Sequence, residues 1–142
     1  MESLLYNHDE ALELLGGLAI GINSVTPMKR RAAVSYRTQT GNGCRFVGFN
    51  AFAKAFVDRR KHQSFSMTVC EITYDDYRVK DSQGDPYLVT LQGGGSVQCN
   101  CEDYRNQVKH FGEGCCGHGY AVLIQWLGFR NLRDYQQAKR TL

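Results

Sequence analysis

Cys99-Asn100-Cys101 and Cys116-Gly117-His118 place three thiols and one imidazole within twenty residues of chain, and few chemistries use that donor set. Zinc takes thiolate sulfur and imidazole nitrogen, and four such ligands complete a tetrahedral shell with no position left for a substrate. A strand delivers both thiols of Cys-x-Cys to one side, because side chains alternate with period 2. Cys116 and His118 fall at the opening of an apolar, helical stretch. The expected site is therefore a structural Zn2+ held by Cys99, Cys101, Cys116 and His118, clamping a strand to the start of a helix. Two residues of the spacer, Cys115 and His110, can compete as ligands; Cys115 with His118 would make Cys-x-x-His, and Cys116 is preferred. Free cysteines are often buried small hydrophobes, but four within eighteen residues beside a well-placed histidine favour metal. A disulfide between the adjacent Cys115 and Cys116 is geometrically awkward.

The elements that must position these ligands are legible on both sides of them. Residues 9–22 carry Leu12, Leu15, Ala19 and Ile22 near helical spacing. That predicts an N-terminal helix ending near Asn23 or Ser24, ahead of Pro27, with Gly16-Gly17 as its weak point. Residues 32–37 and 45–49 read as strands of a hairpin around Thr40-Gly41-Asn42-Gly43. Asn50 is placed to cap a middle helix over 51–61, with Phe52, Ala55 and Phe56 on one face. Residues 65–79 alternate, Met67, Val69, Glu71 and Thr73 against Thr68, Cys70, Ile72 and Tyr74, and predict one long strand.

A turn at 82–86, a strand at 87–91 and a strand over 96–101 lead to the first ligand pair. Gly93-Gly94-Gly95 between these strands lacks the Lys-Ser/Thr ending and following helix of a phosphate loop, and reads as a flexible turn. Residues 119–129 are apolar on most faces, hence a buried helix. Cys44 and Cys70 are assigned to the core, His8 and His62 to the surface. The fold class is α+β: an antiparallel β-sheet with an N-terminal helix, a middle helix and a C-terminal ββα zinc-finger unit, within a single domain over 1–142.

The run Cys99-Asn100-Cys101-Glu102-Asp103-Tyr104, followed by Cys116-Gly117-His118 and Ala121-Val122-Leu123, resembles the SWIM zinc finger, whose pattern is Cys-x-Cys, a variable spacer and Cys-x-His. The match spans residues 87–127. It extends to the polar-aromatic segment after the first pair and the apolar helix after the histidine. SWIM modules are ββα zinc folds found in chromatin-remodelling ATPases, Mutator-class transposases, kinases and small recombination-accessory proteins. The resemblance therefore implies nucleic-acid or protein binding. None of the ATPase or transposase catalytic regions is present in this sequence, so only the binding half of that repertoire carries over.

Charge distribution points the same way. Residues 29–62 hold nine bases and one acid, whereas residues 1–28 hold four acids and no base. Such segregation can build a positive face on a nearly neutral molecule, the footprint of a polyanion, or it can fold into a well-mixed surface. Candidate phosphate contacts are Lys29, Arg30 and Arg31, then Arg59, Arg60 and Lys61, then Arg105 and Lys109 in the spacer. The middle triplet has a plainer role as well, since cations suit a helix C-terminus. Tyr36, Phe46, Phe49 and Tyr104 are available for stacking on bases, with packing as their ordinary use.

The function expected is a zinc- and DNA-binding regulator, or an accessory factor of recombination or repair. The alternative is an adaptor that docks a larger DNA-associated protein. An enzyme is not expected, because a closed zinc shell offers no Lewis acid and only Cys115 with His110 suggests an activated thiol. Glu2, Asp9, Glu10 and Glu13 precede any base, so no secretory signal is read. Paired cysteines without such a signal fit a reducing compartment, cytoplasmic or nucleoid and nuclear, and no apolar run reaches membrane length. Leu12, Leu15 and Ile22 suit either an internal core or a dimer interface.

Overall fold

Gly16 stops the first long helix. Its φ of 55° lies in the positive region that favours glycine, and its N–H closes α2 (His8–Leu15) on the carbonyls of Leu12 and Glu13. Asn7 caps the start of α2, its Oδ1 accepting from Glu10 N at 2.9 Å. The computed structural model, which describes residues 2–140, thus corrects the expected helix to Ile22. After a single 3-10 turn over Gly16–Leu18 the chain is already extended, and Ile22 lies in strand β1 (Gly21–Met28). A short α1 (Glu2–Leu5) precedes α2.

The chain divides into two compact units, Met1–Arg59 and Arg60–Leu142. In the first, β1, β2 (Arg31–Arg37) and β3 (Asn42–Gly48) form an antiparallel sheet in that order. Val25 faces Val34 across one pairing and Ala33 faces Phe46 across the other. The turn of the β2–β3 hairpin closes at Thr38, whose N–H reaches Gly41 O at 2.7 Å. Pro27, which cannot donate to a ladder, sits on the edge strand β1 where that loss is tolerated.

Ala32, Val34 and Tyr36 of β2 turn one way into a core with Tyr6, Ala11, Leu15 and Phe52. There Tyr6 and Phe52 meet edge to face with centroids 4.9 Å apart. The middle helix α3 (Phe49–Ser64) begins one residue before Asn50, so Asn50 lies inside it rather than capping it. Phe52, Ala55 and Phe56 of α3 are buried as their spacing predicts.

The second unit holds a four-stranded antiparallel sheet, β4 (Thr68–Glu71), β5 (Asp76–Lys80), β6 (Pro86–Leu91) and β7 (Val97–Cys99), in sequential order. The single strand expected over 65–79 is therefore corrected to a hairpin. Ile72 N and Thr73 N both bond to Asp76 O, at 2.9 and 3.2 Å, and Thr73 Oγ1 donates to Asp76 Oδ2 at 3.0 Å. Helices α4 (Glu102–Phe111), α5 (Gly117–Ala121) and α6 (Leu132–Arg140) complete the unit.

Between α5 and α6, residues Val122–Trp126 form a π-helical turn. The stretch expected as one helix over 119–129 is thus a short α-helix widening into that turn, buried through Leu123 and exposed at Trp126. Cys44 and Cys70, assigned to the core from sequence, are both exposed and require correction; His8 and His62 lie on the surface. Among the described residues no helix is long and apolar enough to cross a membrane.

Candidate metal centre

The pleat of β7 and two helix starts bring the ligand candidates together. Cys99 ends β7 and pairs with Val89 of β6, and Cys101, two residues on, is the N-cap of α4, its Sγ accepting from Tyr104 N at 3.3 Å. Cys116 is the N-cap of α5, its Sγ accepting from Gly119 N at 3.4 Å. Helix N-termini supply donors and positive potential, both of which favour a thiolate. His118 is the second residue of α5, with Nδ1 3.6 Å from Cys116 Sγ. The Tyr87 ring lies beside the imidazole with centroids 4.2 Å apart, which fixes its plane.

The ligand atoms of Cys99, Cys101, Cys116 and His118 all lie within 4.8 Å of one another. Around a zinc ion with sulfur at about 2.3 Å, tetrahedral ligands stand about 3.8 Å apart, so the cluster closes with small shifts. Its electrostatics also fit a cation. Hydrogen bonds from Cys116 and Cys99 hold the Cys101 thiol far below its ordinary range. The same interaction with Cys101 pushes Cys99 up to about 12 and raises Cys116 well above the ordinary thiol value. Three thiols this close oppose one another's ionisation, and a dication is what allows all three to ionise. The three buried cysteines and the half-buried histidine form a Cys3His cluster close enough to hold a metal.

Cys115 and His110, open as competitors in the sequence, take other positions. Cys115 Sγ turns to Cys116 O at 3.7 Å, and burial raises its thiol, with Cys99 and Asp103 adding to the shift. Its backbone is held on both sides by Gln107, which donates through Nε2 to Cys115 O at 3.1 Å and accepts at Oε1 from Cys115 N at 3.0 Å. His110 stands in the last turn of α4, outside the cluster.

The basic candidates divide by environment. Lys29 and Arg30 form the exposed β1–β2 turn, with Arg30 at a φ of 63°, and Arg31 opens β2 with its guanidinium 4.3 Å over the Phe46 ring. Arg59 is engaged by Glu10 and lies 4.0 Å from Asp9. Arg60 is buried and grips Asp103 with two bonds, Nε to Oδ2 at 2.9 Å and Nη2 to Oδ1 at 2.8 Å. Gln107 Nε2 reaches the same carboxylate at 3.0 Å. Lys61 lies 5.8 Å from the Tyr120 ring centroid, and Arg105 and Lys109 are exposed on α4. Of the aromatics, Tyr36 is core, Tyr104 is half-buried, and Phe46 and Phe49 are open to solvent.

Gln107, Asp103, Arg60 and Tyr87 are the residues that sequence reasoning did not single out as supports of the site. A polar side chain in a spacer carries no periodic signal, so only the fold places Gln107 against Cys115. No protein-family model, no curated protein and no solved structure matches the chain, so the site's meaning rests on its own geometry.

Proposed function

We propose that this chain is a SWIM-type zinc protein that binds nucleic acid, DNA first among them, as a regulatory or accessory factor in transcription, recombination or repair. The metal would be structural Zn2+ on Cys99, Cys101, Cys116 and His118. Four protein ligands from a Cys3His set leave no site for substrate, and Cys115, the one thiol beside the cluster, is buried where it keeps its proton. No catalytic step is assigned. The β6–β7 hairpin and the apolar helical segment opening with α5 at His118 are in keeping with the ββα unit expected from the resemblance, with α4 lying in the spacer between the two ligand pairs.

The observation that carries nucleic-acid binding is the outer face of the first unit's sheet. Strand alternation turns Arg31, Ala33, Ser35 and Arg37 of β2 away from the buried Ala32, Val34 and Tyr36. Register places Phe46 opposite Ala33 and Gly48 opposite Arg31, and Met28 of β1 beside Arg31. This is a shallow sheet face with guanidinium groups around an exposed aromatic ring, next to the Lys29-Arg30 turn. Such a face suits a phosphate backbone with stacked bases, in a salt-sensitive and weakly sequence-specific manner. Arg59 and Arg60, committed to acidic partners, are left out of that contact set.

A second reading, an adaptor docking a larger protein, draws on Leu12, Leu18 and Ile20, which are 40%, 43% and 60% exposed in the N-terminal segment. Titrating labelled single- and double-stranded DNA at rising salt separates the two. Binding that weakens steeply with salt supports the first; absence of any complex near about 50 mM salt removes it and leaves the adaptor.

A further inference from the structure

The second unit contains a pocket of about 400 Å³ that neither the metal cluster nor the basic face uses. Five aromatic rings line it: Tyr74 and Tyr77 from the β4–β5 hairpin, Trp126 from the π-helical turn, and Phe129 and Tyr135 from the segment and helix that follow. The rings meet edge on, Tyr77 with Trp126 at 6.0 Å and Phe129 with Tyr135 at 5.4 Å between centroids. Aromatic faces carry negative charge and attract cations. Two carboxylates, Glu71 and Asp75, complete the wall. The single opposing charge in the lining is Lys139, whose Nζ lies 5.9 Å over the Tyr135 ring.

Two features distinguish this cavity from a packing fault. Tyr135 is 3% exposed, yet its hydroxyl has no hydrogen-bond partner among the described residues. Tyr135 is itself part of the pocket wall, beside Asp75, Tyr77 and Tyr74. An unpaired buried polar group in the wall carries a free-energy cost that packing alone does not explain. The wall at Trp126 is also built on a π-helical turn, a rare geometry found often at functional sites.

We propose that this pocket binds an organic cation of the alkylated-ammonium class, seated among Tyr77, Trp126 and Tyr135 with Glu71 and Asp75 neutralising its charge. An aromatic box with acids at its edge recognises a quaternary ammonium through charge and ring faces together, whereas a phosphate-bearing ligand is repelled by the same carboxylates. Lys139 stands where such a cation would act, so it competes for the Tyr135 face in the free protein.

Trp126 is the chain's one tryptophan, and its fluorescence reports occupancy directly. The intact protein is titrated with choline, with tetramethylammonium, and with 3,3-dimethylbutanol, the neutral isostere of choline. The expected result is a saturable change with both cations and affinity for the neutral isostere about tenfold lower or worse. Glu71→Gln and Asp75→Asn, which preserve shape, should each weaken choline severalfold, and Lys139→Ala should tighten it. Short peptides carrying trimethyl-lysine or unmodified lysine extend the titration. Preference for the trimethyl-lysine peptide identifies a peptide-borne cation, and binding of choline with neither peptide identifies a free one. Equal affinity for choline and its neutral isostere, or no saturable change with either cation up to about 10 mM, overturns the proposal.

Discussion

Gln107 encloses Cys115 between two hydrogen bonds, accepting from its N–H at 3.0 Å and donating to its carbonyl at 3.1 Å. A side-chain amide here does what a neighbouring strand does elsewhere: it satisfies both backbone groups of one residue at once. Because Cys115 immediately precedes Cys116 of the cluster, this bracket fixes where the second half of the cluster begins. It also settles the position of the neighbouring thiol, which turns away from Cys99, Cys101 and His118.

Gln107→Ala should leave the buried Cys115 N–H and C=O without those partners and cost about 2–3 kcal/mol of stability. The metal should also be lost faster to a chelator, since Cys116 is then less well held. Gln107→Glu serves as the sharper variant, because it keeps the acceptor for Cys115 N while placing a second carboxylate beside Asp103. Thermal denaturation of the metal-loaded protein, with a chelator time course, checks both.

Asp103 accepts two bonds from the buried Arg60 guanidinium and one from Gln107. Asp103→Ala removes the carboxylate from a charge that is 6% exposed; breaking such a pair is expected to cost about 3 kcal/mol or more. Replacing both partners, Arg60→Met with Asp103→Leu, should recover most of that loss, because the desolvation of two ions is removed together with their attraction. Urea denaturation of Arg60→Met, of Asp103→Leu and of the double variant measures the coupling.

Gly119 has no room for a side chain. A Cβ there would lie 2.8 Å from Cys115 Sγ and 3.2 Å from Val97 Cγ1. Gly119→Ala gains up to about 1 kcal/mol in helix propensity, but overpacking is expected to cost about 1–3 kcal/mol, so the net change is destabilising. Adding Cys115→Ala removes the closest atom and should restore part of the loss. A double-mutant cycle on melting temperature tests this, and retention of metal in Cys115→Ala separates packing from ligation.

On the outer sheet face, Arg31→Ala and Phe46→Ala disrupt the stacked pair whose guanidinium lies 4.3 Å over the ring. Both should weaken DNA binding without altering the metal content. Arg31→Ala should also reduce the salt slope by about 1, the signature of one lost phosphate contact. Phe46→Ala should leave that slope unchanged, because stacking releases no counterions.

How far the sequence foretold this molecule depends on which signals were local. The α+β class, the β2–β3 hairpin, the apolar face of α3 and the two ligand pairs follow from spacing and turn residues, and each is recorded in a few consecutive positions. Boundaries set by competition were harder to read. Leu12, Leu15, Ala19 and Ile22 keep a helical period across Gly16-Gly17, yet the glycine pair wins and Ile22 becomes strand. Thr73 to Asp76 contain no Gly or Pro, and alternation continues on both sides of them, so periodicity alone joins β4 to β5. What separates them is the Asp76 carbonyl and carboxylate turning back on Ile72 and Thr73.

Helix α6 was invisible for a different reason. Its sequence is mostly polar, with Tyr135 as its buried residue, and its start signal is the Asn131 Oδ1 accepting from Asp134 N at 2.8 Å. The π-helical turn at Val122–Trp126 leaves no mark in composition. Because these two elements supply Trp126 and Tyr135, the aromatic pocket became visible only with the fold. In the metal cluster, spacing named the residues but not their manner of support. Cys101 and Cys116 each cap a helix, and the hydrogen bonds from Tyr104 and Gly119 depend on three-dimensional placement.

Metal content measured on purified variants tests most directly whether Cys99, Cys101, Cys116 and His118 hold a zinc ion. Structural zinc binding is worth on the order of 10 kcal/mol in small peptides, so the consequences of losing a ligand should be plain in both stoichiometry and folding. The wild-type protein and Cys115→Ala are expected to carry one equivalent of zinc per chain, while Cys101→Ser and Cys116→Ser lose it and unfold in the second unit. A folded Cys101→Ser protein that retains a full equivalent of zinc, or a Cys115→Ala protein that retains none, would contradict the account.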